Sequence, residues 1–274
     1  MKVLGTLTAL LCLAAWPAMA ADPLKFSDPS GDDKGNGKYE YPSHSDYKPG
    51  SFDMTGVEVK DKGDSVEFSV TFKNQVDDVW SSKTWSPPGQ GFSLQFVQIY
   101  LDLDKKPGSG FTDSLPGINV LFAAASAWDK VVLISPQPVS RVKAEVSAKA
   151  SKMAKAVIVP KSVTVKGKTL AVTVPKSDLP GDIRSWGYQV VVQSNEGYPD
   201  APDLLTRDVN EVAGEHRFGG GSDWDCDPHA IDILAGEAKG ASSEKEAQYK
   251  ALKFEPCSGS DAKPTAVVPM IYPK

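Results

Sequence analysis

Long apolar runs are scarce in this 274-residue chain, and the one of any length lies at its N-terminus. Lys2, the apolar residues 3–16 and the small-residue site Ala18-Met19-Ala20 read as a secretory leader over residues 1–20, so the mature chain is expected to start near Ala21. Cys12 stands inside that run without a lipobox, which argues against a lipid anchor. No later run approaches the roughly 18 residues that cross a bilayer, so no transmembrane segment is expected. Clustered cations are lacking too. The formal net charge is −5, and −6 once Lys2 leaves with the leader, which denies nucleic acid the basic face it requires. The lysine-rich stretch 143–155 reads as a solvated strand edge or loop.

Cysteine and histidine are few, at three each. Beyond the leader only Cys226 and Cys257 remain, and an even pair in an exported chain points to a disulfide. It would close a loop of about 30 residues and contribute about 3 to 4 kcal/mol. The alternative is a zinc site from His216, Cys226, His229 and Cys257, whose spacing fits no common zinc module. Catalytic signatures are absent: there is no G-x-S-x-G, H-E-x-x-H or G-x-x-x-x-G-K. Glu196, Asp200 and Asp203 are acids of the kind a glycosidase uses, but nothing in the sequence sets two of them face to face. The chain is therefore read as a non-enzyme.

What the chain does have is a succession of short alternating segments. Val57 and Val59, then Val66, Phe68, Val70 and Phe72, flank Lys62-Gly63-Asp64 as a hairpin with one buried face. Residues 92–103 read as a longer strand, 131–134 as a fully apolar one, and 139–146 and 156–159 as alternating ones. A second hairpin joins 163–165 to 170–174, and 188–193 is a buried strand. Only 243–254 looks helical, and it is expected to pack on the outside. Short strands separated by turns, with little helix, predict an all-β fold, an antiparallel β-sandwich with long loops and a short C-terminal helix. One domain, 21–274, is expected, with residues from about 235 onward as a peripheral tail tied back by the disulfide.

Acids and aromatics collect in the loops. Asp28, Asp32 and Asp33 sit among glycines near the start, in a stretch that fails as an EF-hand because Lys34 and Ser43 occupy ligand positions. A calcium site of another kind and a solvated turn both remain open. Asp102 and Asp104 lie two apart at a strand end, and Asp223, Asp225 and Asp227 form a D-x-D-x-D run; each group reads as a cation site or as charge that braces a loop. Calcium is the cofactor expected. Trp80 and Trp85 occupy a Pro/Gly-rich loop, and Tyr198 and Trp224 lie in the long loop after residue 193, where flat rings can stack on sugars. The glycines 219–221 permit close backbone approach.

In this order, DPSGDDKGNGKYEYP, SFDMTGVEV, VQIYLDLDKKPGSG, LPGINV, AWDKVVLISP, GYQVVVQSNEGYP, DLLTRDVNE and HRFGGGSDWDCDPHAIDIL resemble the C-terminal module of glucodextranase, a family also found in amylopullulanase-like secreted enzymes. The resemblance covers nearly the whole mature chain. It implies a β-sandwich related to sugar-binding and DOMON-type domains and a role in binding carbohydrate or cell surface rather than in catalysis. The expected function is an exported, calcium-stabilised protein that binds an α-glucan or envelope glycan through Trp80, Trp85, Tyr198 and Trp224. A separate glycoside hydrolase is a candidate partner. One alternative is a DOMON-like electron-transfer domain holding haem b through a histidine and Met54, Met153 or Met270; another is a structural envelope protein without a small ligand.

Overall fold

The computed structural model describes residues 22–236, 241–259 and 263–274; the leader read in residues 1–20 lies outside them. In chain order the strands are β1 (Leu24–Ser27), β2 (Met54–Asp61), β3 (Ser65–Phe72), β4 (Gln95–Asp102), β5 (Leu121–Phe122), β6 (Lys130–Ile134), β7 (Val157–Ile158), β8 (Thr164–Lys166), β9 (Thr169–Pro175), β10 (Gly187–Ser194), β11 (Asp232–Ile233) and β12 (Val267–Val268). Two five-stranded sheets result. One runs β1-β2-β3-β9-β8, the other β11-β10-β4-β6-β7, and β12 pairs with β5 in a small third sheet.

The sequence pattern accounts for the layering. β3 alternates strictly, with Val66, Phe68, Val70 and Phe72 inward and half-exposed residues between them. Such a strand faces core on one side and water on the other. The β2–β3 turn is tight, with Gly63 at φ 88°, a conformation glycine adopts without strain. β4 and β10 are buried at every position, because their sheet is covered on both faces. Val97, Ile99, Val190 and Val192 meet the first sheet, whereas Phe96, Tyr100 and Val191 point the other way into a second core with Trp128, Leu204 and Leu205. Buried glutamines on these strands satisfy one another: Gln98 donates to Gln193 at 2.7 Å, and Gln193 to Thr206 Oγ1 at 3.1 Å. The β-sandwich predicted from the sequence is therefore the observed fold, antiparallel except where β7 joins β6 and β12 joins β5 in parallel.

One element departs from expectation. Residues 139–146 are not a strand; they open helix α1 (Val139–Lys149), which also absorbs the first half of the lysine-rich stretch. Val142, Ala144 and Val146 satisfy a period of two, but Val142, Val146 and Ala150 satisfy a helical face, and only these are buried, while Ala144 is exposed. The exposed face of the second sheet needed an apolar cover, and a helix supplies it. The expected C-terminal helix is present as α2 (Ala241–Ala251), but it is not merely external, since its Glu244 and Gln248 are fully buried.

Candidate functional site

At one end of the sandwich the loop after β3, the start of α1 and the loop after β10 enclose a cleft of about 600 Å³. Trp80, Trp85 and Tyr198 line it together with Gln137, Arg141, Asn195, Glu196, Arg207 and His216. The rings are held differently. Trp80 is wedged beside Tyr47 and His216 and donates its indole N–H to Asp46 Oδ2 at 2.9 Å. Trp85 donates to the Trp80 carbonyl at 3.1 Å, which orients its ring from below. Tyr198 is 89% exposed, with the Arg141 guanidinium 5.6 Å from its ring centre. Arg207 lies 5.6 Å from the Trp80 ring and pairs with Glu196 at 3.2 Å. Glu196 is therefore engaged by a cation rather than set opposite a second acid. Asn195 is locked by Gln137 (3.2 Å) and by the Ser93 carbonyl (3.1 Å). Flat apolar rings beside fixed amides and guanidinium groups suit a polyhydroxylated ligand.

A second feature lies where β1, β2, β11 and α2 meet. Asp28, Asp32, Asp53, Asp232 and Glu244 are all buried, and they fall into two triads, Asp28/Asp32/Glu244 and Asp32/Asp53/Asp232, whose oxygens lie within 4.8 Å of one another. Asp53 Oδ2 accepts from Ser30 Oγ (3.0 Å) and the Gly31 N–H (2.8 Å) and pairs with Lys73 at 3.2 Å. Asp232 Oδ2 accepts the Met54 N–H, and Glu244 Oε1 accepts the Ala235 N–H, both at 2.7 Å. Their other oxygens, with both oxygens of Asp28 and of Asp32, have no hydrogen-bond partner. Burial and the neighbouring acids Asp232, Glu244 and Asp32 push Asp28 up to about 12, and burial and Glu244 push Asp32 to about 7. Burial likewise drives Asp232 well above the ordinary carboxylate range. Burial and mutual repulsion thus work against joint ionisation of these acids, and a hard divalent ion is the kind of partner that offsets both.

The remaining sequence candidates are scattered. Asp33 stands next to this cluster but spends Oδ2 on the Tyr41 hydroxyl and the Gly50 N–H. Asp102 and Asp104 do converge, with Asp129, yet each is used locally: Asp102 by Lys105 N–H and the Tyr272 hydroxyl, Asp104 by Lys106 N–H and Ser109, Asp129 by Leu103 N–H. The D-x-D-x-D run is split, since Asp223 and Asp225 are exposed while Asp227 is fully buried. Trp224 is 46% exposed and lines a second, smaller cavity with Asp200, Asp208, Asn210, Arg217 and His229, so it does not join the other three rings. Cys226 and Cys257 form a disulfide, Cα–Cα 6.1 Å, which removes both thiolates from the zinc alternative. His216 instead lies 4.6 Å ring to ring from His44, and His229 Nδ1 accepts the Val209 N–H. Met54 is in the inter-sheet core, Met153 and Met270 are in the other core, and none lines either cavity. Gly219 and Gly220 lie against residues 38–40, where a Cβ on Gly220 would collide with the Lys38 carbonyl, and Gly221 faces Val209 and Asp227.

Sequence reasoning missed Asp53, Asp232 and Glu244 as members of the acidic centre. For two of them a signal was available. Asp53 stands between Phe52 and Met54, and Asp232 between Ile231 and Ile233, and an acid inside a buried apolar run calls for a partner. Glu244, on an otherwise polar helix, offered none.

Residues 24–269 match a family model described as the C-terminal binding module, SLH-like, of glucodextranase. No curated protein matches the chain at significant similarity.

Proposed function

This chain belongs to the family of C-terminal, SLH-like binding modules of glucodextranase, and from that premise we propose that it is an exported, non-catalytic module that binds an α-glucan or envelope glycan in the cleft of Trp80, Trp85 and Tyr198, on a fold stabilised by calcium. The observation that carries the reading is the convergence of those three rings, from loops more than a hundred residues apart in sequence, on one cleft with Arg141, Asn195 and Arg207. Stacking on the rings supplies apolar contact, and the amides and guanidinium groups meet hydroxyls that would otherwise lose their water. The pairing of Glu196 with Arg207 supports binding without hydrolysis, because glycoside cleavage needs two carboxyl groups facing across one bond. Calcium is supported by the buried, unpartnered oxygens of Asp28, Asp32, Asp53, Asp232 and Glu244.

The test is a glycan-array screen of calcium-loaded protein, followed by retardation on native gels containing dextran, pullulan or soluble starch. Binding with dissociation constants between ~10 μM and ~1 mM is expected for contacts of this size. Release of reducing sugar, or no retardation on any glucan or envelope glycan, would overturn the proposal.

A further inference from the structure

The geometry points to a two-cation centre, in which Asp32 bridges one divalent ion held with Asp28 and Glu244 and a second held with Asp53 and Asp232. This deepens the calcium reading above and rests on it. The first ground is the arrangement of oxygens. Asp53, Asp232 and Glu244 each spend one carboxylate oxygen on backbone or side-chain donors and leave the other free, and Asp28 and Asp32 leave both free. A carboxylate anchored through one oxygen and open at the other is oriented in the way that outer partners orient metal ligands. The acids fall into two triads, each with its oxygens within 4.8 Å, rather than into one group of five around a single point, and Asp32 belongs to both.

Charge is the second ground. Among the described residues, only Lys73 pairs with any of the five acids, at 3.2 Å from the anchored oxygen of Asp53. Lys245 donates to the Gly31 carbonyl instead, and Asp33 is turned toward Tyr41 and Gly50. With Lys73 counted and the five acids ionised, one divalent ion leaves two negative charges and two ions leave none; the buried Asp33, whose charge also bears on Asp53 and Asp232, adds one negative charge in either case. Uncompensated buried charge is strongly unfavourable, so the balance favours two. The ligands are all hard oxygens from carboxylates, with no imidazole or thiolate among them, and that chemistry selects calcium, whose shell of six to eight oxygens water can complete.

The two ions would do different work. The Asp53/Asp232 ion joins the start of β2 in one sheet to β11 at the edge of the other. The Asp28/Glu244 ion joins the segment after β1 to α2, where Gln248 already bonds the Asp32 carbonyl.

The decisive measurement is the metal content of the full chain by inductively coupled plasma mass spectrometry, after chelator stripping, reloading with calcium and gel filtration in metal-free buffer. Two calcium ions per chain are expected. One ion would overturn the two-cation centre while leaving a calcium-stabilised fold standing, and none would overturn both. Glu244→Gln and Asp53→Asn are each expected to retain one ion, with circular dichroism confirming the fold. Retention of two ions by either folded variant would remove that residue's site. A variant that does not fold leaves the wild-type stoichiometry to decide.

Discussion

The Met54 N–H donates to Asp232 Oδ2 at 2.7 Å, a hydrogen bond that joins the first residue of β2 in one sheet to β11 in the other. It also turns the second oxygen of Asp232, which has no partner, toward Asp32 and Asp53. The two sheets are thus tied at this point through the Asp232 carboxylate, one of the acids to which the proposal above assigns a cation. Removing calcium with excess chelator is expected to lower the melting temperature. Ligand at a hundredfold its dissociation constant stabilises by about 2.7 kcal/mol per site, or roughly 5 to 10 °C for a domain of this size. Differential scanning calorimetry with and without chelator checks it; an unchanged midpoint would remove calcium from the fold.

The cleft rings separate folding from binding. Trp80 packs against the inter-sheet core, so its loss would disturb the fold. Trp85 is half-buried and Tyr198 exposed, and neither packs against that core. Trp85→Ala and Tyr198→Ala are each expected to weaken glycan binding by about 1 to 3 kcal/mol, since each removes one stacking surface, with the melting temperature little changed. Tryptophan fluorescence titration together with thermal scans reads both quantities.

The Cys226–Cys257 bridge fixes the segment after α2 to the loop before β11. Replacing both cysteines with alanine is expected to cost about 3 to 4 kcal/mol, because the unfolded chain regains the freedom of a loop of about 30 residues. Urea unfolding of the two proteins measures the difference. An intact mass equal to the all-thiol value for the native protein would contradict the bridge.

Asp203 titrates in the neutral range. Burial, a hydrogen bond with Asp208, and the charges of Asp208, Asp225 and Asp200 push it up to about 8. Asp208 goes the other way: burial opposes its ionisation, but His229, the shared hydrogen bond and Arg217 outweigh it and hold it below the usual range. The folded chain therefore keeps a proton on Asp203 that the unfolded chain releases at about 4. The stability Asp203 contributes is full below pH ~4 and is lost as the pH rises to about 8, with a slope of at most about 1.4 kcal/mol per pH unit. Asp203→Asn preserves a hydrogen-bond donor without the titration, and should flatten the fall between pH 5 and 8. Urea unfolding at saturating calcium across that range tests it; equal slopes for the two proteins would refute the assignment.

Local pattern was sufficient for much of this molecule. Strict alternation in residues 65–72 announced a strand with one wet face, Lys62-Gly63-Asp64 and the paired apolar segments 163–165 and 170–174 announced hairpins, and the even cysteine pair announced the bridge. Each of these signals rests on neighbours in the chain, or on parity alone. Periodicity failed at 139–146, where two periods fitted the same valines, and the cover required by the second sheet decided for a helix. The order of motifs carried the family resemblance.

The sequence offered Asp28 and Asp32 as one candidate cluster, but their meeting with Asp53, Asp232 and Glu244 was decided by the tertiary structure. The members of this acidic centre run from Asp28 to Glu244 and come from the segment after β1, the residue before β2, β11 and α2, and nothing at Glu244 tells of Asp28. Likewise Trp85 and Tyr198 share a cleft with Arg141, while Trp224, equally aromatic and equally placed in a loop, does not. A side chain's period reports which face of its own strand or helix is buried. Which loops meet at the ends of a sandwich is set by how the two sheets stack and which strands lie side by side, and those contacts join residues too distant in sequence for any local pattern to record.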